Sequence, residues 1–348
     1  MKLTWRYAVI ALAGLAVVQV AAAPRWSNQK SGVKARLRGV SAVSDMVAWA
    51  SGTDGTVLRT ADGGRHWTTL AVPGAEALDF RDVDAVDEQT AFVLSIGPGE
   101  SSRIYKTADA GATWTLQFTN EKRNAFFDAM AFWDADRGIA VSDSVEGEFY
   151  VLTTADGGRS WTRVPPERFP DAEDSEGFFA ASGTNVAVWG TDHVWLATGA
   201  ADVTRVVRSS DGGQTWQIAE TPVPGGPSAG LFSVAFRDAL HGIVVGGDYQ
   251  KEFEAYDNAA ITSDGGATWT QLRGLGGFRS VVAYVPGAPT PSVLAVGPLG
   301  ADYSTDEGQT WTRMAIEGLH AFSFSPTGAR GWGVGEDGRI ARLDGLLP

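Results

Sequence analysis

The chain contains no cysteine. That excludes disulfides, thiolate metal sites and a lipidated leader, so stability must come from a packed core, which 348 residues can supply. The four histidines, His66, His193, His241 and His320, make no His-x-His or His-Glu-x-x-His spacing. There is no Gly-x-Ser-x-Gly elbow and no phosphate loop. No metal and no cofactor is expected. Positive charge is scarce: 28 Lys and Arg stand against 41 Asp and Glu, a formal net charge of −13. Nucleic acid, which requires a basic stripe, is not an expected partner. Helical periodicity is nearly absent after the first residues.

Those first residues have a different character. Lys2 and Arg6 precede an apolar stretch from Tyr7 to Val20, and small residues follow. The pattern predicts a signal peptide over residues 1–22, cut after Ala22, and a periplasmic or secreted mature chain from residue 23. An uncleaved anchor is the other reading, although the apolar run is short for a bilayer span. Once the leader is cut, no stable membrane insertion is expected.

What is abundant is glycine, 43 residues, and tryptophan, 13 residues. Both concentrate in one recurring motif, Ser/Thr-x-Asp-x-Gly-x-x-Trp. It runs from Thr60 to Trp67, Thr107 to Trp114, Thr154 to Trp161, Ser209 to Trp216, Thr262 to Trp269 and Ser304 to Trp311. Successive aspartates (Asp62, Asp109, Asp156, Asp211, Asp264 and Asp306) lie 42 to 55 residues apart. A period in that range marks a ring or stack of similar units. Each motif sits between two short strands, so it is a hairpin turn. Glycine supplies positive φ there, and the aspartate and hydroxyl satisfy turn amides. Six catalytic aspartates would have to converge on one point, whereas a ring spreads them around a rim. The six are therefore expected to be structural.

Apolar strands open near residues 37, 80, 126, 178, 231, 278 and 319. Seven openings against six boxes predict a single all-β domain over residues 23–348, a seven-bladed β-propeller with Asp-box hairpins. The seventh unit ends one strand short. Trp26 stands eleven residues before Leu37, where a box tryptophan would stand. Trp26–Gln29 is thus expected to close the ring as the outer strand of the last blade, which removes an open sheet edge. A disordered leader over residues 24–36 is the competing reading.

Connections between the second and third strands are tight in blades one, six and seven and long in blades two to five. They raise loops over one side of one face, where binding residues collect on a rigid scaffold. The second position of each inner strand faces the same mouth: Arg38, Arg81, Phe127, Phe179, Phe232, Arg279 and His320. Arginine suits carboxylates. These arginines either contact a ligand or pair internally with carboxylates such as Asp82 and Asp128. With Asp143, Asp248, Tyr249 and Lys251 from the long loops, Arg38, Arg81, Arg279 and His320 are the candidate binding residues. The expected guest is a protein or carbohydrate with an anionic group, and the expected state is a monomer.

Over residues 35–345 the TADGG boxes, the FRDV-type inner strands and the VGEDGRIARL hairpin resemble photosystem II stability/assembly factor-like proteins. These are exported seven-bladed propellers of the BNR-repeat superfamily. The resemblance implies a non-enzymatic scaffold that binds a client through an arginine patch, for which Arg38, Arg81 and Arg279 are the matching positions. The long loops of blades three to five depart from that family. The boxes also resemble those of sialidases and related Asp-box glycosidases, which implies the alternative of a glycoside hydrolase or a lectin. The Arg-Ile-Pro signature of sialidases is missing; Arg103-Ile104-Tyr105 is a strand. Glu176, Asp143, Asp248 and Tyr249 are the groups a hydrolase would draw on, and no spacing selects a pair.

Overall fold

Seven four-stranded antiparallel sheets are arranged as blades, and among the described residues almost no helix accompanies them. The computed structural model describes residues 24–345. The expected leader lies outside those residues, as does the end of the chain from residue 346. No helix among the described residues is long and apolar enough to cross a membrane.

Blade one shows the pattern: Leu37–Ala42 innermost, then Ala48–Gly52, Val57–Thr60 and the short outer strand Thr68–Leu70. The second strand is buried along its whole length, because it is covered by the neighbouring blade on either face. Large aromatics fill the gaps between blades. Trp49 of blade one meets Trp114 of blade two edge to face at 6.3 Å. Trp195 of blade four stacks on Phe236 of blade five at 3.5 Å.

The ring closes as the sequence indicates. Arg25–Gln29 pairs antiparallel with Ile340–Asp344, so the first described strand is the outermost of the seventh sheet. Trp26 packs against Phe322 edge to face at 5.7 Å. Gln29 reaches into blade one: its Oε1 accepts from Trp67 Nε1 at 2.9 Å, and its Nε2 donates to Gly63 O. The clasp therefore joins three parts of the chain: the first strand, the last strand and the first box.

Four inner strands carry a β-bulge at one equivalent place, which turns one side chain toward the channel. The bulged residues are Arg38, Arg81, Asp128 and Phe232. Blade three thus presents Asp128, not Phe127, which is fully buried in the sheet. The phase is set by aligning Met130 with Val40 and Val83, and the Phe126-Phe127 pair disguises it by one residue. Blade four differs more. Its inner strand is Val186–Trp189, and Phe178 lies in an irregular link before it. That link is stapled by Glu176, which is fully buried and forms a two-pronged pair with Arg205 on the third strand of blade four.

Candidate binding site

The six boxes have one internal geometry. The Ser/Thr hydroxyl donates to the aspartate and accepts from the N–H of the glycine at the fifth position of the box, at 2.8 Å for Gly64 and 3.0 Å for Gly266. The aspartate also accepts from the backbone and side chain four residues on, as Asp156 does from Ser160 N at 2.9 Å and Ser160 Oγ at 2.7 Å. The Ser160 hydroxyl and N–H hold Asp156 at about 2. These carboxylates spend their lone pairs on their own turns. They lie on the rim and converge on nothing.

A cavity of about 610 Å³ opens at the channel mouth on the side of the long loops. One wall is polar and comes from the first three blades and the last. Arg36 and Arg38 stand on blade one, Arg81 on blade two, Asp128 and Asp143 on blade three, His320 and Glu336 on blade seven. The opposite wall is aromatic. Phe179 stacks on Phe232 at 4.1 Å, Tyr249 meets both edge-on, and Phe278 packs edge to face on Phe232 at 4.6 Å. The Glu176–Arg205 staple and the hydrogen bond from Phe178 N to Asp143 Oδ1 (2.9 Å) hold the irregular link in place, so Phe178 and Phe179 face the cavity.

Within the polar wall the arginines are not equivalent. Arg81 Nε is paired with Asp79 at 3.0 Å, and its Nη1 donates to Ala180 O at 2.7 Å, while the side chain still lines the cavity. Arg38 Nε is buried and has no hydrogen-bond partner among the described residues. Burial, and then the charge of Arg81, lowers Arg38 to about 10, so it remains a cation at neutral pH. Arg279 is not at the mouth. It is fully buried, with Nε donating to Asp302 Oδ2 at 2.8 Å and Nη1 to Phe278 O at 2.7 Å. His320 lines the cavity and bonds Glu336 through Nε2 at 2.9 Å. Burial, followed by the charge on Arg38, lowers His320 to about 4. It is a neutral ring at pH 7 rather than a fourth cation.

The loop of blade five is divided. Tyr249 and Glu252 line the cavity. Asp248 instead caps its own turn, accepting from Ser228 Oγ and Gln250 N, and Lys251 lies outside between Asp248 and Glu254. Phe253 and Tyr256 at the loop tip are 85% and 75% exposed. Glu176 is committed to Arg205 and Asp248 to its turn, so neither is placed for acid–base chemistry. Sequence reasoning missed Arg36 and Glu336 in the cavity and took Asp128 as an internal partner for an arginine; only the bulge phase could have placed Asp128 at the mouth. Among the described residues no cluster of three or more His, Cys, Asp or Glu could hold a metal.

Residues 302–313 match the BNR/Asp-box repeat family model. No curated protein matches the chain. Among solved structures the chain is similar to YCF48 bound to a D1 peptide, at 18% identity and TM-score 0.66, covering 93% of this chain and 97% of that one. It is similar also to YCF48 from Cyanidioschyzon merolae, at 17% identity and TM-score 0.66, covering 92% and 98%. A GH74 xyloglucanase from Xanthomonas campestris matches at 17% identity and TM-score 0.60; 91% of this chain is covered but 53% of the enzyme. This chain thus spans about half of that enzyme. At such identities the likeness establishes the propeller fold.

Proposed function

We propose that this protein is an exported, non-enzymatic scaffold that binds a polypeptide partner at the channel mouth through an anionic group, a carboxylate above all. The observation that carries the reading is Arg38, a half-buried side chain that lines the cavity and whose buried Nε lacks a partner. A buried N–H without a partner is costly, and a guest carboxylate would satisfy it with a charge-assisted bond. Arg81 is beside it, and the aromatic wall opposite suits an apolar side chain next to the anion. A similar propeller has been solved with a peptide bound, which supports a peptide as guest.

The test is binding of a fluorescein-labelled Ala-Ala-Leu-Phe peptide, with a free terminal carboxylate and as its amide. The free acid is expected to bind at least about tenfold more tightly, the equivalent of one charge-assisted bond. Equal affinity for acid and amide would remove the basis for the reading. The carboxyl pair Asp128 and Asp143 favours a second reading, glycoside hydrolysis. Turnover of aryl glycosides that is lost in Asp143→Asn would establish that one instead.

A further inference from the structure

Asp128 stands at the same bulge position in blade three that Arg38 and Arg81 occupy in blades one and two. Equivalent bulges in consecutive blades aim their side chains at one channel, so these three follow one another around the polar wall. Asp128 is 1% exposed, and its Oδ2 is buried with no hydrogen-bond partner among the described residues. A buried carboxyl in a cavity wall with one oxygen unpartnered leaves a hydrogen bond that a guest can supply.

Resting on the peptide-binding reading above, we propose that Asp128 is a specificity-determining residue of this site: its carboxyl, held as the neutral acid, donates a hydrogen bond to a carbonyl or carboxylate oxygen of the bound polypeptide beside the terminal carboxylate at Arg38. The surroundings hold the proton on. Burial, and then the charge of Asp143 on the adjacent strand, push the Asp128 carboxyl well above the usual carboxylate range; the Asp143 N–H, the Arg81 charge and the Ala180 N–H pull the other way and do not prevail. The link over residues 177–185 brings no titratable side chain to this wall. Glu252 and Glu336 also line the cavity, Glu336 on the same wall and engaged with Arg36 and His320. An ionised Asp128 would repel the anion that Arg38 attracts, whereas the acid extends the anchor by one donor.

The sign follows. A carboxyl with a raised pKa is a donor below that value and loses the proton as pH rises through it, so wild-type affinity falls with rising pH. Asp143, raised by burial to about 6, and His320, near 4, lie below this range, whereas Asp82, raised by burial to about 8 and bonded to Met130 N, titrates within it; wild type and Asp128→Asn share all three, so the difference between their profiles reports Asp128.

The experiment measures anisotropy of the free-acid Ala-Ala-Leu-Phe probe on the full mature chain from about pH 7 to about pH 9, below the range where Arg38 discharges. Asp128→Asn keeps a donor of the same shape and cannot ionise. It is expected to match wild type within about twofold at pH 7, while wild type weakens relative to it as pH rises toward about 9. Asp128→Ala is expected to be weak throughout. Infrared difference spectra give a second readout that needs no binding in the variant. The protonated-acid C=O band of wild type is expected to shift on adding the probe, and that band is expected to be missing in Asp128→Asn. Parallel pH profiles for wild type and Asp128→Asn, with binding still weakened by Arg38→Ala, would overturn the role of Asp128 and leave the site reading intact. Failure of wild type to prefer the acid over the amide would overturn both.

Discussion

Asp211 on the rim and Asp128 in the cavity wall are the same residue in opposite surroundings. Asp211 accepts from Ser209, from Gln214 N and from both the N–H and hydroxyl of Thr215. Those donors, working against partial burial, hold it at about 2. Asp128 is buried with one oxygen unpartnered and is pushed upward. The arginines divide in the same way: Arg279 has its partners and is sealed in, whereas Arg38 lines the cavity with Nε unpaired. A saturated group at a repeated position contributes to folding. An unsatisfied group that also lines the cavity, as Arg38 and Asp128 do, is where a guest can complete the structure. Repetition in the sequence therefore identifies the scaffold, and departures from repetition identify the site.

The contrast predicts its largest effect at Arg279. Replacing Arg279 by Ala leaves Asp302 buried without its partner and is expected to cost about 3 to 5 kcal/mol in denaturant unfolding. Peptide binding by the folded fraction is expected to be unchanged. If stability holds and binding is lost, Arg279 belongs to the site after all.

A second effect, on the order of 2 kcal/mol, concerns pH. Asp82 and Asp84 tie blade two to blade three by accepting from Met130 N and Phe132 N, each at 2.8 Å. Burial raises Asp82 to about 8 and Asp84 to about 6. A raised folded value means that this contribution is complete below the unfolded value near 4 and is lost as pH rises through 6 and 8. Box carboxylates such as Asp156 and Asp264, held near 2, do the reverse: their contribution is present above about 4 and is lost as pH falls toward 2. Melting temperature is thus expected to peak at mildly acid pH, and Asp82→Asn to flatten the alkaline limb. An alkaline limb unchanged by Asp82→Asn would show that the tie does not titrate in this range. The smallest effect is Asp211→Ala, about 1 kcal/mol or less for an exposed turn, read by thermal melting.

The sequence made the ring legible because propeller structure is local. A box needs only eight consecutive residues, and Trp26 betrays the clasp by its distance from Leu37. Pairings across the ring are not local, so Arg279 looked like Arg38 until Asp302 was placed beside it. The Phe126-Phe127 doublet hid the bulge phase and, with it, Asp128. In blade four the apolar run at Phe178 mimicked a strand; the Glu176–Arg205 staple holds that segment as irregular chain instead. His320 was legible as a mouth residue, but its neutrality depends on burial and on the Arg38 charge.

The central claim is that binding resides in the unpaired Arg38 and not in the repeated aspartates. The direct measurement is the affinity of the free-acid and amide peptides for wild type, Arg38→Ala and Asp211→Ala, with melting temperatures taken in parallel. The account predicts that Arg38→Ala loses the preference for the free acid while melting no lower than wild type, and that Asp211→Ala keeps that preference while melting slightly lower. Retained preference in Arg38→Ala, or its loss in a fully folded Asp211→Ala, would contradict it.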